Sequence, residues 1–276
     1  MTAKSDSTVM NGESDAVDPD GRRAKGDRTK RAILAKAVDI ASVEGLEGLS
    51  IGRLAAELGV SKSGLFAHFG SKLELQLETV AAATEIFTER VWEPVAGLDA
   101  GIVQLASLME SWLRYFRDGV FTGGCFFSNA YHEFDARPGP VRDEVIGQKR
   151  RWMAALVHHA KVAEKLGQLK AGTDAEQLAF ELDALGSLAN SMWQLERDDR
   201  AFGRAQTAMR TRLYGAATAS GRRALTGAGL TDVTEPARAP KPASAPRPAR
   251  GPEAGPRPRG RPAAPRPARP PKPAAN

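Results

Sequence analysis

Apolar residues in this chain return every three or four positions, and no stretch alternates in the two-residue rhythm of a strand, so the sequence predicts an all-α fold. Ile33, Leu34, Ala37, Val38 and Ala41 share one face of a helix from about Arg28 to Val43, with Gly45 placed to end it. Ser50 suits the N-cap of a second helix through about Leu58, whose stripe is Ile51, Leu54, Ala55 and Leu58. Gly59 supplies a sharp turn, Val60 is expected to plug the angle between helices, and Ser61 caps a short third helix through about His68. Ser71-Lys72-Leu73-Glu74 matches a capping box and opens a fourth helix.

A buttressing helix, a tight glycine turn and a helix short enough to enter a major groove make the layout of a helix-turn-helix. Any three-helix packing with a glycine turn would give the same spacing, so spacing alone leaves both open. Downstream, the fourth helix runs through about Val91 and breaks near Pro94 and Gly97. Further helices are expected over about 101–117, over Gly123 to about Phe134, and over 141–166 after the turn Arg137-Pro138-Gly139-Pro140. Thr173-Asp174-Ala175-Glu176 reads as a second capping box for a helix to about Arg197, and a last helix covers about 199–219.

Charge is distributed unevenly. The 276 residues carry a net +6 and a pI near 9.6. Residues 1–20 are net −4, 21–72 net +5, 73–236 net −4 and 237–276 net +9. A mildly acidic body thus lies between basic segments that suit a polyanion, although ordinary surface charge would look similar. From Pro236 onward there is no Val, Ile, Leu, Met, Phe, Trp, Tyr or Cys, and 14 of the 18 prolines lie there. Such a segment has nothing to bury against its ordering entropy and is expected to be disordered, as is the polar stretch 1–24.

Several chemistries lack support. One cysteine, Cys125, excludes an internal disulfide framework and a Cys-rich zinc site. A buried, inert thiol suits its Phe126-Phe127 surroundings better than a redox sensor, which needs a lowered pKa. His132-Glu133 has no second histidine at zincin spacing, and His158-His159 project from different helix faces. No phosphate loop or nucleophile elbow occurs, so neither an enzyme nor a cofactor is expected. No apolar run approaches membrane-span length and the N-terminus is polar and acidic, which points to a cytoplasmic protein and no membrane partner.

Residues 28–77, RTKRAILAKAVDIASVEGLEGLSIGRLAAELGVSKSGLFAHFGSKLELQL, resemble the DNA-binding domain of TetR-type (TetR/AcrR) transcriptional regulators. The resemblance implies that Lys62, Ser63, Gly64 and Leu65 face the bases. Gly64 and Leu65 could offer only close approach or a thymine-methyl contact. His68 stands at the family's histidine position, where phosphate contact and helix packing are both open. Lys72 opens the fourth helix, where phosphate can be held, and Arg28, Thr29 and Ser50 complete the implied DNA-contacting set. One departure is Phe66, which occupies the family's usual tyrosine position and lacks the phenol that commonly touches phosphate.

The resemblance divides the chain into an arm (1–24), the helix-turn-helix domain (25–72, motif about 49–68), a ligand-binding and dimerisation domain (73–222) and a basic tail (223–276). Cys125 to Phe134 with Arg137 to Arg142 is similar to a stretch of one TetR-type subgroup. Candidate pocket residues there are Cys125, Phe126, Asn129, Tyr131 and His132. Trp112, Phe116, Trp152 and Trp193 would add aromatic walls, unless each merely fills the core. Leu178, Leu182, Leu185, Ala189 and Met192 follow helical spacing and are candidates for a homodimer interface, or for packing within the subunit. The expected partners are a palindromic double-stranded operator, a small apolar effector and a second copy of the chain. A DNA-compacting protein driven by the tail is the alternative, and a helical enzyme a remote one.

Overall fold

A computed structural model describes the backbone of residues 19–231 and the side chains from Gly26 onward. The expectations for the arm up to residue 18 and for the tail beyond residue 231 lie outside the described residues. Within them the chain is helical, with one isolated antiparallel bridge between Leu169 and Ala217. No helix among them is long and apolar enough to cross a membrane.

α1 (Pro19–Gly48) starts earlier than its apolar stripe suggests, and Gly45 interrupts it at φ 78°. The break leaves the next backbone N–H groups without helical acceptors. Glu133 supplies them: its carboxylate accepts from the Leu46 and Glu47 N–H groups, each at 2.7 Å. The φ of 78° suits glycine, and a Cβ there would lie 2.8 Å from a Glu133 oxygen, so a side chain at this position would push on the carboxylate that caps the break.

α2 (Ile51–Leu58) is capped by Ser50, whose Oγ accepts from the Arg53 N–H, and ends at left-handed Gly59. α3 (Lys62–Phe69) is capped by Ser61 in the same way, and α4 (Lys72–Phe87) by Ser71. Val60 does not plug the angle between α2 and α3; it is 48% exposed, and Leu54, Leu65 and Phe69 fill the space instead. Past Phe87 the chain makes a π turn (Thr88–Trp92) and a 3-10 turn (Glu93–Val95), because Pro94 has no N–H to continue the α ladder.

The body continues with α5 (Ile102–Arg117), α6 (Phe126–Glu133), α7 (Pro140–Lys165), α8 (Ala175–Glu196) and α9 (Arg200–Ala216). The cap of α8 sits one residue later than its capping-box reading. Asp174 accepts from the Glu176 and Gln177 N–H groups, while the Thr173 hydroxyl donates to the Lys170 carbonyl. α9 stops earlier than its pattern implies and α10 (Ala219–Gly227) follows, capped by Thr218, so the first residues assigned to the tail are helical.

α5 runs through the centre, packed on α7, α8, α9 and α10, while α1 packs on α4 and α6. Leu105, Leu108 and Met109 of α5 meet Leu178 and Leu182 of α8 and Phe202 of α9 in one continuous buried cluster. Each such side chain contributes about 1.5–3 kcal/mol of apolar burial. The cluster also takes in Leu46, Leu49 and Leu75, so the N-terminal helices and the body share a core.

Replacing Glu133 with alanine strips an anionic acceptor from two backbone donors. We expect Glu133→Ala to lower unfolding free energy by about 2 kcal/mol in a urea titration; an unchanged midpoint would show that the carboxylate is not what holds the break.

Candidate nucleic-acid interface and ligand cavity

The outward face of the short helix α3 is rich in polar and small groups. Lys62, Ser63, Gly64, Ala67 and His68 are exposed, and Phe66 is 57% exposed. The Lys62 stem lies over Gly52 of α2, where a Cβ would come within 3.2 Å of it. Leu65 corrects the sequence reading. It is 2% exposed and belongs to the buried core, so its side chain is not on the outer face of α3. Phe66 and Ala67 are the apolar groups exposed on the outer face of α3.

The other DNA candidates fall around this helix. Arg28 and Thr29 are exposed on α1. The Ser50 hydroxyl is engaged as the α2 cap. The Lys72 ammonium donates at 2.7 Å both to the Glu47 carbonyl and to its carboxylate, and this partner draws the Glu47 carboxyl below its ordinary range. An ammonium has three protons, so Lys72 retains donor capacity while anchored. Glu57 joins α1 to α2: its carboxyl is pulled down to about 2 by Lys36 and then by Arg53.

The body encloses a cavity of about 370 Å³. Thr84 and Phe87 come from α4, Trp92 from the turn after it, and Trp112 from α5. Cys125, Phe127, Ser128 and Tyr131 come from α6 and its entry, Gln148, Lys149 and Trp152 from α7, and Asp183 and Ser187 from α8. Trp152 sits amid the rings, 4.8 Å from Trp112 and 5.6 Å from both Phe87 and Trp92. Burial pushes up the Cys125 thiol and the Tyr131 phenol, which keeps both neutral near pH 7.

Of the candidate pocket residues, Trp112, Cys125, Tyr131 and Trp152 line this cavity. Phe116 instead stacks on Phe202 at 6.2 Å, and Phe126 is sealed in the core. Trp193 packs on Phe202 at 5.8 Å and donates its indole N–H to Asp199. His132 lines an adjoining groove with Asp135 and Arg142, which shares Ser128, Tyr131, Lys149 and Ser187 with the cavity. Asn129 faces α1. Phe87, Trp92 and the Lys149–Asp183 pair escaped sequence reasoning, the pair because its members lie 34 positions apart.

The dimer candidates also divide. Leu178 and Leu182 are buried within the subunit, so they serve its own core; Ala189 is buried as well but borders the groove lined by Leu185 and Met192. Leu185 and Met192 instead line a groove of about 300 Å³ with Leu188, Ala201, Arg204 and Ala208. On the outward face of α8, Phe180, Leu188 and Leu195 are 63%, 60% and 82% exposed.

The α6 segment touches both cavity and head. Asn129 donates at 2.7 Å to the Ser42 carbonyl of α1, Gly123 N–H donates to the Ser42 hydroxyl, and Thr122 N–H to Asp39. From the other side, Gln194 of α8 donates to the Gly123 carbonyl.

A three-helix DNA-reading head joined to a hollow helical body is the architecture of a helix-turn-helix transcription regulator. A family model described as bacterial regulatory proteins, tetR family, matches residues 33–79. Another, described as tetracyclin repressor-like, C-terminal domain, matches residues 101–209. No curated protein matches the chain. A TetR transcriptional regulator from Chloroflexus aurantiacus is 23% identical with a TM-score of 0.66, over 70% of this chain and 98% of its own. A transcriptional regulator from Saccharomonospora viridis, solved with choline, is 18% identical with a TM-score of 0.58, over 69% and 99%. AibR, solved with isovaleryl coenzyme A and operator DNA, is 22% identical with a TM-score of 0.50, over 58% and 85%. The chain belongs to the TetR family of transcriptional regulators.

A Cβ at Gly123 would lie 1.9 Å from the Ser42 carbonyl oxygen, a backbone atom that no rotamer change can clear. Gly123→Ala is therefore expected to cost about 1–3 kcal/mol in a thermal melt, and a wild-type melting curve would show that this approach is not tight.

Proposed function

We propose that the protein is a ligand-responsive repressor that binds a palindromic operator as a homodimer in the cytoplasm, with a small molecule in the body cavity controlling release. The observation that carries this reading is the double engagement of α6. One side of it walls the cavity with Phe127, Ser128 and Tyr131, while Asn129 and Glu133 hold α1. A molecule that favours one position of α6 would bias the angle of the head through these bonds, provided it prefers one state. Neighbours of the same fold were solved with a coenzyme A ester plus operator DNA, and with choline. They support a binding role for the cavity without fixing its ligand.

Dimerisation rests on α8, which is apolar on two faces. Leu178 and Leu182 fill the subunit core, and Leu188 and Leu195 are left facing outward. A helix apolar on both sides calls for a second packing partner, and a second copy also supplies the second half-site reader that a palindrome requires. Roles in DNA contact are assigned to Lys62, Ser63, Gly64, Phe66 and His68 on α3, with Arg28, Thr29 and Lys72 on backbone phosphates.

Operator fragments selected from genomic DNA and assayed by electrophoretic shift test the reading. We expect Lys62→Ala to weaken specific binding about tenfold. The pair Leu188→Glu and Leu195→Glu should give a monomer in sedimentation and lower operator affinity by about a hundredfold or more. Deleting residues 236–276 should reduce salt-sensitive affinity and preserve sequence preference. Loss of most binding on that deletion, with no preference left to measure, would favour the DNA-compacting alternative.

A further inference from the structure

The cavity already holds a cation of the protein's own. The Lys149 ammonium lies 2.6 Å from both Asp183 carboxylate oxygens and 5.4 Å from the centre of the Tyr131 ring, inside the range where a ring face attracts positive charge. Asp183 also accepts from the Trp152 indole N–H at 2.9 Å. These two donors differ in freedom. Trp152 is buried and boxed by Phe87, Trp92 and Trp112. It fixes the carboxylate in one place. The Lys149 side chain is 33% exposed on a flexible stem, whereas that of Asp183 is 14% exposed. When something competes, the lysine is the partner that can swing into water and the carboxylate is the one that stays.

We propose that the effector is an organic cation, an amine or quaternary ammonium carried on an apolar body, whose charge replaces the Lys149 ammonium between Asp183 and Tyr131. This rests on the reading of the cavity as the effector site. Trp92, Trp112 and Phe127 add aromatic lining around the cavity, and about 370 Å³ suits a small apolar-bodied ligand. An anionic ligand fits less well. It would find Lys149 neutralised by Asp183 and would meet the negative face of Tyr131. Arg151 also lines the cavity, but its guanidinium is already engaged, paired with Glu144 at 2.8 Å and donating to Gln148. Lys149 thus acts as a resident competitor, holding the carboxylate partnered in the unliganded protein.

The test is a tryptophan-fluorescence titration of the full chain with three probes of nearly one shape. These are benzyltrimethylammonium, its neutral carbon isostere neopentylbenzene, and the anion phenylacetate. The expected result is binding of the cation at least about tenfold tighter than either other probe. Asp183→Asn should abolish that preference, and Lys149→Met should tighten cation binding about tenfold by removing the competitor. Should Lys149→Met not fold, Lys149→Gln carries the same expectation. Neopentylbenzene binding as tightly as the cation would overturn the charge assignment and leave the cavity as an effector site. Preferred binding of phenylacetate, lost in Lys149→Met, would overturn it in favour of an anion. If no probe changes the fluorescence, the assignment falls together with the reading of the cavity as a ligand site.

Discussion

The two hydrogen bonds from the Leu46 and Glu47 N–H groups to the Glu133 carboxylate are the constraint on which the rest of this structure hangs. They exist because Gly45 breaks α1 at a positive φ and leaves donors that no helical carbonyl can take. The acceptor could have been local, as a serine is for α2, α3 and α4. Here it comes instead from α6, a helix of the body. The end of α1 is therefore positioned by the wall of the cavity. Glu47 extends the arrangement, because its carbonyl and carboxylate both receive Lys72 at the start of α4, and the Leu46 carbonyl receives Gln76.

A second set of contacts runs in parallel. Gly123 is clamped between Ser42 of α1 and Gln194 of α8, and Asn129 bridges Ser42 and Gly123. α4 offers a further link: Thr84 and Phe87 wall the cavity near its end, and Ser71 and Lys72 lie at its start beside the head. Gln148 of α7 donates to Thr84, and Lys30 of α1 pairs with Glu78 of α4 at 2.6 Å. Helices this closely interlocked shift between packings as units, which is what a switch requires. Contact alone does not establish that energy flows along it, so the coupling has to be measured.

Much of this was legible in the sequence where the physics is local. Ser50, Ser61 and Ser71 announced three helix starts, because a capping hydroxyl bonds only two or three residues ahead. Periodicity fixed the helical class and most boundaries in the body. The errors lie where tertiary packing decides. Leu65 and Val60 both sit near the turn, and nothing in their spacing says that the first is buried and the second exposed. Leu178 and Leu188 lie on one periodic helix, yet the first is buried and the second 60% exposed. In the cavity, Trp112, Cys125, Tyr131 and Trp152 were recognisable as aromatic or apolar candidates near one segment. Nothing in the sequence singled out Lys149 and Asp183, which only the packing of α7 on α8 brings together, and Glu133 was met only in an incomplete zinc motif.

The central claim is that occupancy of the cavity reaches the head through α6 and Glu133. A double-mutant cycle on operator affinity measures this directly. Ser187→Phe fills the cavity from α8 without touching α6 bonds to α1, and is combined with Glu133→Gln. The account predicts that Ser187→Phe alone changes operator Kd by about tenfold, and by less than about twofold once Glu133 is glutamine. An equal change in both backgrounds would contradict it.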